Sequence, residues 1–212
     1  MISVVGTSTH KTVVKICGIR SEMAARTAIY AGAKFLGFNF VPGSKRRVSP
    51  VVAKQIIDQI GKQVKIVGVF QNEKIEEVNR IAEELDLDYV QLHGDEDPDY
   101  VKEMNRDVIK VMQLDPEFNI TDVLKEMNKF DVEYYLLDRK TQGKGKMLNL
   151  KNLNIVCKEK QIFVAGGLTP DNVVEVVRAV KPFGVDVASG IESYRVEDPE
   201  KIRSFIERTK NA

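Results

Sequence analysis

Two side chains able to move protons stand at the ends of apolar runs. Cys17 closes TVVKIC (12–17) and Asp138 closes EYYLLD (133–138). A thiolate is a good base, but it is the minority form of cysteine at neutral pH unless a positive field lowers its pKa. A carboxyl at the end of an apolar stretch is partly desolvated, which raises its pKa and suits a general acid. Each also has a plainer reading. A lone cysteine usually packs as a small hydrophobe, and Asp138 can cap a helix or pair with Arg139 or Lys140. Arg46 and Arg47 share the compact loop PGSKRRVSP. Arginine grips carboxylates through two parallel hydrogen bonds, and a surface role is the alternative. His93, after YVQL, is either a ligand contact or a hydrogen-bonded structural histidine.

A second kind of chemistry is anion binding. Gly166 and Gly167 stand in AGGLTPDN, and Ser189 and Gly190 in ASGIES. Glycine lets backbone N–H groups approach an anion, and a following helix N-terminus adds positive potential. Either pair alone is an ordinary tight turn; the two together point to a bound phosphate. The segment IES can add a short extra helical turn. The stretch RKTQGKGKM is rich in lysine and glycine, which suits a lid over an anionic substrate or a solvated charge run. Cys157 reads as packing.

These residues need a frame that brings distant parts of the chain together. Beside TVVKIC and EYYLLD, the apolar runs are KFLGFNF (34–40), VKIVGVF (64–70), DYVQL (88–92), DVIKVMQL (107–114), QIFVAG (161–166) and FGVDVA (183–188). They lack clean polar alternation, as strands buried on both faces of a parallel sheet do. Helical patterns lie between them. PVVAKQIIDQI puts Val51, Val52, Ile56 and Ile60 on one side, and KIEEVNRIAEEL does so with Ile75, Val78, Ile81, Ala82 and Leu85. PDNVVEVVRAV is predicted to start at Pro170 behind a Thr169 cap, and PEKIRSFIERT behind Asp198. LNLKNLNIVCKEK makes one short helix or two turns.

Strand and helix alternate at intervals of about 20 to 30 residues with no linker, which predicts a single (β/α)8 TIM barrel. It spans residues 12–212, behind an N-terminal leader of residues 1–11. A doubly wound open sheet would usually carry a Gly-rich turn after its first strand, and CGIR is no such turn. In a barrel, function gathers at the C-terminal strand ends, and a phosphate site forms after strands seven and eight. Cys17, Arg46, His93, Asp138 and both glycine pairs fall there. Parity adds one expectation. Lys15 shares a face with Cys17, and Asp186 lies in the eighth strand, which neighbours the first only if the barrel closes. A buried charge needs a partner, so a Lys15–Asp186 pair is predicted inside the barrel.

The totals exclude several classes. With 212 residues, 43% hydrophobic, 30% charged and a net charge of +1, the chain suits one soluble core. It carries no electrostatic footprint for nucleic acid or an anionic membrane. No apolar run approaches the roughly 20 residues needed to span a bilayer, and MISVVGTSTHKTVVK lacks a secretory pattern. Two cysteines with no CxxC or Cys/His spacing give no disulfide framework and no zinc site. A cytoplasmic protein is expected, monomer or homodimer, with a small phosphorylated partner.

The segments KICGIR, GAKFLGFNFVPGSKRRVSP, VGVFQN, YVQLHGDE, LLD, FVAGGLTPDNV and GVDVASGIE run in order from about Val13 to the end. Together they resemble the phosphoribosylanthranilate isomerases, the Amadori-rearranging enzymes of tryptophan biosynthesis. The resemblance implies Cys17 as general base, Asp138 as general acid and Arg46 on the anthranilate carboxylate. It implies Gly166, Gly167, Ser189 and Gly190 on the phosphate, and no metal or organic cofactor. One segment departs: the family's Gly-Gly-Thr/Ser-Gly-Lys stretch ends in Phe-Asp/Ser-Trp, whereas QGKGKMLNL lacks the aromatic end. Two other readings stand beside it. One is an isomerase of the related histidine-pathway aldosylamine, or of both substrates; the other is a non-catalytic phosphosugar-binding barrel.

Overall fold

Strand β1 (Val13–Cys17) pairs with β2 (Phe35–Asn39) on one side and with β8 (Gly184–Val187) on the other. That second pairing closes the sheet. In this computed structural model, which describes residues 11–140 and 146–212, the remaining strands follow in chain order, all parallel. They are β3 (Lys65–Phe70), β4 (Tyr89–Leu92), β5 (Asp107–Leu114), β6 (Tyr134–Arg139) and β7 (Ile162–Val164). Helices α1 (Glu22–Ala31), α2 (Pro50–Ile60), α3 (Ile75–Glu84) and α4 (Pro98–Lys102) follow the first four strands. Helices α5 (Ile120–Met127), α6 (Leu150–Glu159), α7 (Val173–Val180) and α8 (Pro199–Lys210) follow the others. The expected (β/α)8 barrel is thus present. Residues 1–10 of the expected leader, and 141–145 of the expected lid, lie outside the described residues. No described helix is long and apolar enough to cross a membrane.

Helix starts follow local chemistry. Ser49 and Asp198 accept backbone N–H bonds at the heads of α2 and α8, each with proline at the first helical position. The uncertain sixth segment is one helix, headed by Asn149.

Three local expectations need correction. Helix α2 buries Ala53, Ile56 and Ile60, while Val51 and Val52 are 64% and 39% exposed. At about 100° per residue, Val51 lies on the side opposite that stripe. Helix α7 begins at Val173 and not at Pro170. The Asn172 side chain bends back instead, accepting from Thr169 N (2.8 Å) and donating to Gly167 O (3.0 Å), so residues 169–172 serve the glycine loop. Beyond β8, the helical turn is a 3-10 turn at Ser189–Ile191, and the chain then enters a hairpin, β9 (Glu192–Ser193) and β10 (Val196–Glu197).

The barrel floor is a cluster of rings. Phe35, Tyr89, Tyr134, Phe163 and Phe183 contact one another with centroids 4.7–6.1 Å apart. Apolar Val67, Ile109, Val111 and Leu136 pack with them. The same strands, read toward their C-terminal ends, turn polar.

Candidate active site

Cys17 ends β1, and Asp138 sits one residue from the end of β6. The strands between them on the short way round are β7 and β8. Both side chains line a cavity of about 700 Å³ at the barrel mouth. Arg46, His93, Gly166, Gly167 and Ser189 line it too. Seven of the eight site residues expected from sequence therefore meet in one space. The eighth, Gly190, braces it from behind: a Cβ there would lie 1.9 Å from Leu168 O, so only glycine lets the β7 and β8 loops abut.

Below Cys17 the predicted buried pair is present. Lys15 Nζ donates to Asp186 Oδ1 at 2.8 Å, with Lys15 fully buried. Burial works against the lysine's charge, but Asp186 and Cys17 more than offset it and hold its pKa above the usual value. The thiol goes the other way from what catalysis by a free thiolate needs. Burial pushes the Cys17 pKa up, Lys15 pulls it back, and Asp186 pushes it up again; the net is upward. The lysine's field is thus real, but its partner and the low dielectric outweigh it.

Asp138 behaves as the apolar run suggests. Burial raises its pKa, against the opposing pull of His93 and of the Arg139 N–H, which donates to Oδ1 at 2.8 Å. A Cβ at Gly166 would lie 2.8 Å from that same oxygen, and the residue has φ +86°, so glycine is required twice over. His93 Nε2 lies 3.8 Å from Asp138 Oδ2. Burial pulls the histidine pKa down despite Asp138, which favours neutral imidazole at pH 7.

Two walls can hold anions. The β7 and β8 loops bring Gly166, Gly167 and Ser189 to one side. The second is Arg46, whose guanidinium comes from the β2–α2 loop and is bonded to Glu192 at 2.8 Å through both Nε and Nη2.

Sequence reading misses Gln91 and Asn39, which also line the cavity. The signal is available: Gln91, on β4, shares its parity with His93, the residue just after that strand. Gln91 is 2% exposed, and its Oε1 has no hydrogen-bond partner among the described residues. A buried unpaired acceptor is costly and invites a ligand donor. A neighbouring cleft of about 710 Å³ shares Gln71 and His93 but lies against α5. Its deepest charge, Lys110, is committed to Glu96 (2.7 Å) and Gly94 O (2.8 Å), which fix the loop carrying His93. Among the described residues no group of three His, Cys, Asp or Glu side chains could hold a metal ion.

The family described as N-(5'-phosphoribosyl)anthranilate (PRA) isomerase matches residues 14–208. An N-(5'-phosphoribosyl)anthranilate isomerase of Geotalea daltonii is 42% identical over 206 residues, covering 94% of this chain and 97% of that one. The crystal structure of phosphoribosyl anthranilate isomerase from Thermotoga maritima has a TM-score of 0.86 at 34% identity, over 95% of this chain and 100% of that chain. A second crystal structure, of a phosphoribosyl anthranilate isomerase in complex with reduced 1-(o-carboxyphenylamino)-1-deoxyribulose 5-phosphate, has a TM-score of 0.83 at 32% identity, with the same coverage.

Proposed function

Since the chain belongs to the phosphoribosylanthranilate isomerase family and converts N-(5'-phosphoribosyl)anthranilate to 1-(2-carboxyphenylamino)-1-deoxyribulose 5-phosphate in tryptophan biosynthesis, we propose that Cys17 and Asp138 are its base and acid. One observation carries this reading. A single cavity is lined by both groups, by an arginine and by two glycine-bearing loops, which suits a substrate with a carboxylate at one end and a phosphate at the other.

The substrate is an aldosylamine. Asp138, whose protonated form burial favours, gives its proton to the furanose ring oxygen, and the C1′–O bond breaks to leave a protonated imine. The iminium acidifies the C2′ hydrogen. Cys17 removes that proton as thiolate, the electron pair moves to form the C1′–C2′ double bond, and an enolamine results. Protonation at C1′ with loss of the enol O–H proton gives the aminoketone. If the thiol returns its proton to C1′ and Asp138 takes the enol proton, both groups are reset.

The resting cavity disfavours both ions, so the thiolate forms where positive charge meets it: Lys15 below and the substrate's iminium above. Arg46 takes the anthranilate carboxylate; Gly166, Gly167 and Ser189, with Gly190 behind them, take the phosphate. Fixing both ends aligns C2′ with the sulfur. His93 lines the site beside Asp138, and its burial favours the neutral imidazole. Gln91 Oε1 accepts from a sugar hydroxyl.

The test generates phosphoribosylanthranilate in situ and follows loss of its fluorescence. Cys17→Ser and Asp138→Asn should each lower kcat by about 10² to 10⁴ with the fold intact. Undiminished turnover in either folded variant removes that residue from the chemistry.

A further inference from the structure

We propose that Glu192 is a positioning residue for substrate specificity. It holds the side edge of the Arg46 guanidinium, so that the end-on edge is left for the cavity and takes a planar carboxylate in preference to a phosphate. The proposal rests on the reading of Arg46 as the carboxylate grip.

A guanidinium offers five N–H donors along two usable edges. Arg46 commits its side edge to Glu192: Nε donates to Oε1 and Nη2 to Oε2, both at 2.8 Å. The end-on edge, carrying Nη1 and the second Nη2 hydrogen, remains. Arg46 lines the cavity, and Glu192 is not among its lining residues. The arginine stem is fixed as well. A Cβ at Gly18 would lie 2.6 Å from Arg46 Cδ, so the stem crosses the end of β1 only because that residue is glycine.

Glu192 is itself held. Its carbonyl accepts from Lys201 Nζ at 2.8 Å, and its Oε1 lies 3.4 Å from Arg20 Nη2. Arg20 is anchored in turn by Glu197, through its backbone N at 2.6 Å and Nη2 at 3.2 Å. The Glu192 and Glu197 side chains are 11% and 4% exposed. The two glutamates offset the charge of the two arginines they bond, so the Arg46 guanidinium offers donor geometry more than unbalanced positive charge.

That balance matters because the substrate is an anion at both ends. A bare arginine would attract the phosphate, with more charge, at least as well as the carboxylate. With Glu192 bonded to the guanidinium, a dianion there meets stronger repulsion than a monoanion does. The flat end-on edge favours the two coplanar oxygens of a carboxylate over a tetrahedral group. Glu192 thus fixes which end of the substrate goes where.

The experiment measures KM and kcat for phosphoribosylanthranilate, and competitive inhibition by inorganic phosphate, in Glu192→Gln, Glu192→Asp, Arg46→Lys and the Arg46→Lys/Glu192→Gln double variant. The amide of glutamine sets a donor against a guanidinium donor and frees the side edge. Glu192→Gln should raise KM about tenfold, the loss of one charge-assisted hydrogen bond's worth of order, with a smaller change in kcat. It should also strengthen inhibition by phosphate several-fold, which a merely structural role would not do. Glu192→Asp keeps the charge and should recover part of the loss, and it serves if the glutamine variant does not fold. In the Arg46→Lys background, Glu192→Gln should add nothing to KM. An unchanged or lowered KM, unchanged phosphate inhibition, or full additivity with Arg46→Lys would overturn the proposal. If Arg46→Lys alone leaves KM unchanged, the carboxylate-grip reading fails first and takes the proposal with it.

Discussion

The floor and the mouth of this barrel are built from the same strands and have opposite characters. Reading inward positions two residues at a time, β2 runs Phe35, Gly37, Asn39; β4 runs Tyr89, Gln91 and continues to His93 just past its end; β6 runs Tyr134, Leu136, Asp138. Each passes from an aromatic ring to a polar or reactive side chain within about 14 Å, the length of four extended residues. At the floor the rings interlock and bury apolar surface, which stabilises the fold. At the mouth, burial raises the pKa of a carboxyl and leaves one amide oxygen unpaired among the described residues, both of which oppose stability at neutral pH. Chemistry is placed where the fold is least content, and the rigid floor makes that tolerable.

Mutations can break this contrast. The largest effect is expected at the border between the halves. Lys15→Met leaves Asp186 buried without its partner and should cost about 4 kcal/mol of unfolding free energy. A double-mutant cycle with Asp186→Asn should show strong coupling; independent, harmless changes would mean that the pair does no structural work. Next, Phe163→Ala opens a cavity in the floor and should cost about 3 kcal/mol by denaturant titration, with kcat/KM nearly unchanged below the transition. A large kinetic effect there would erase the division of labour.

The mouth should respond in the opposite sense. Gln91→Leu removes the unpaired acceptor and should stabilise by about 1 kcal/mol while raising KM. The smallest effect is that of Asp138→Asn, a modest rise in Tm at neutral pH. The Asp138 pKa is higher folded than its unfolded value of about 3.9. The charged form is therefore the one the fold disfavours. Relative to asparagine, the wild-type deficit is absent below about pH 4 and grows as pH rises through the folded pKa. A Tm difference that instead shrank toward neutral pH would contradict the raised pKa.

Much of this was legible in the chain. Strands buried on both faces read as unbroken apolar runs, and in a closed barrel the parity of Lys15 points to Asp186 as its partner. Cys17 and Asp138 could be placed because strand ends define the mouth, although their roles came from family resemblance and not from spacing. What stayed hidden depends on contacts between distant segments. Glu192 reads as an ordinary acidic residue after a turn, and nothing local says that Arg46 lies against it. The start of α7 was misread because Asn172 turns its side chain to the glycine loop, a tertiary demand that overrides the Thr-Pro start signal. Gln91 was within reach of the parity argument, but only the cavity shows that its oxygen is unpaired.

The central claim is that Asp138 acts protonated while Cys17 acts deprotonated, the reverse of their intrinsic order. The most direct measurement is the pH dependence of kcat/KM for the wild type and for Asp138→Asn. The wild type should give a bell whose acid limb lies above the usual carboxylate range and whose alkaline limb lies at the raised thiol value. The residual activity of Asp138→Asn should lose the bell and rise steadily toward alkaline pH, because only the thiol is left to titrate. A variant that keeps both limbs would show that Asp138 is not the acid, and the account of the mouth would fall with it.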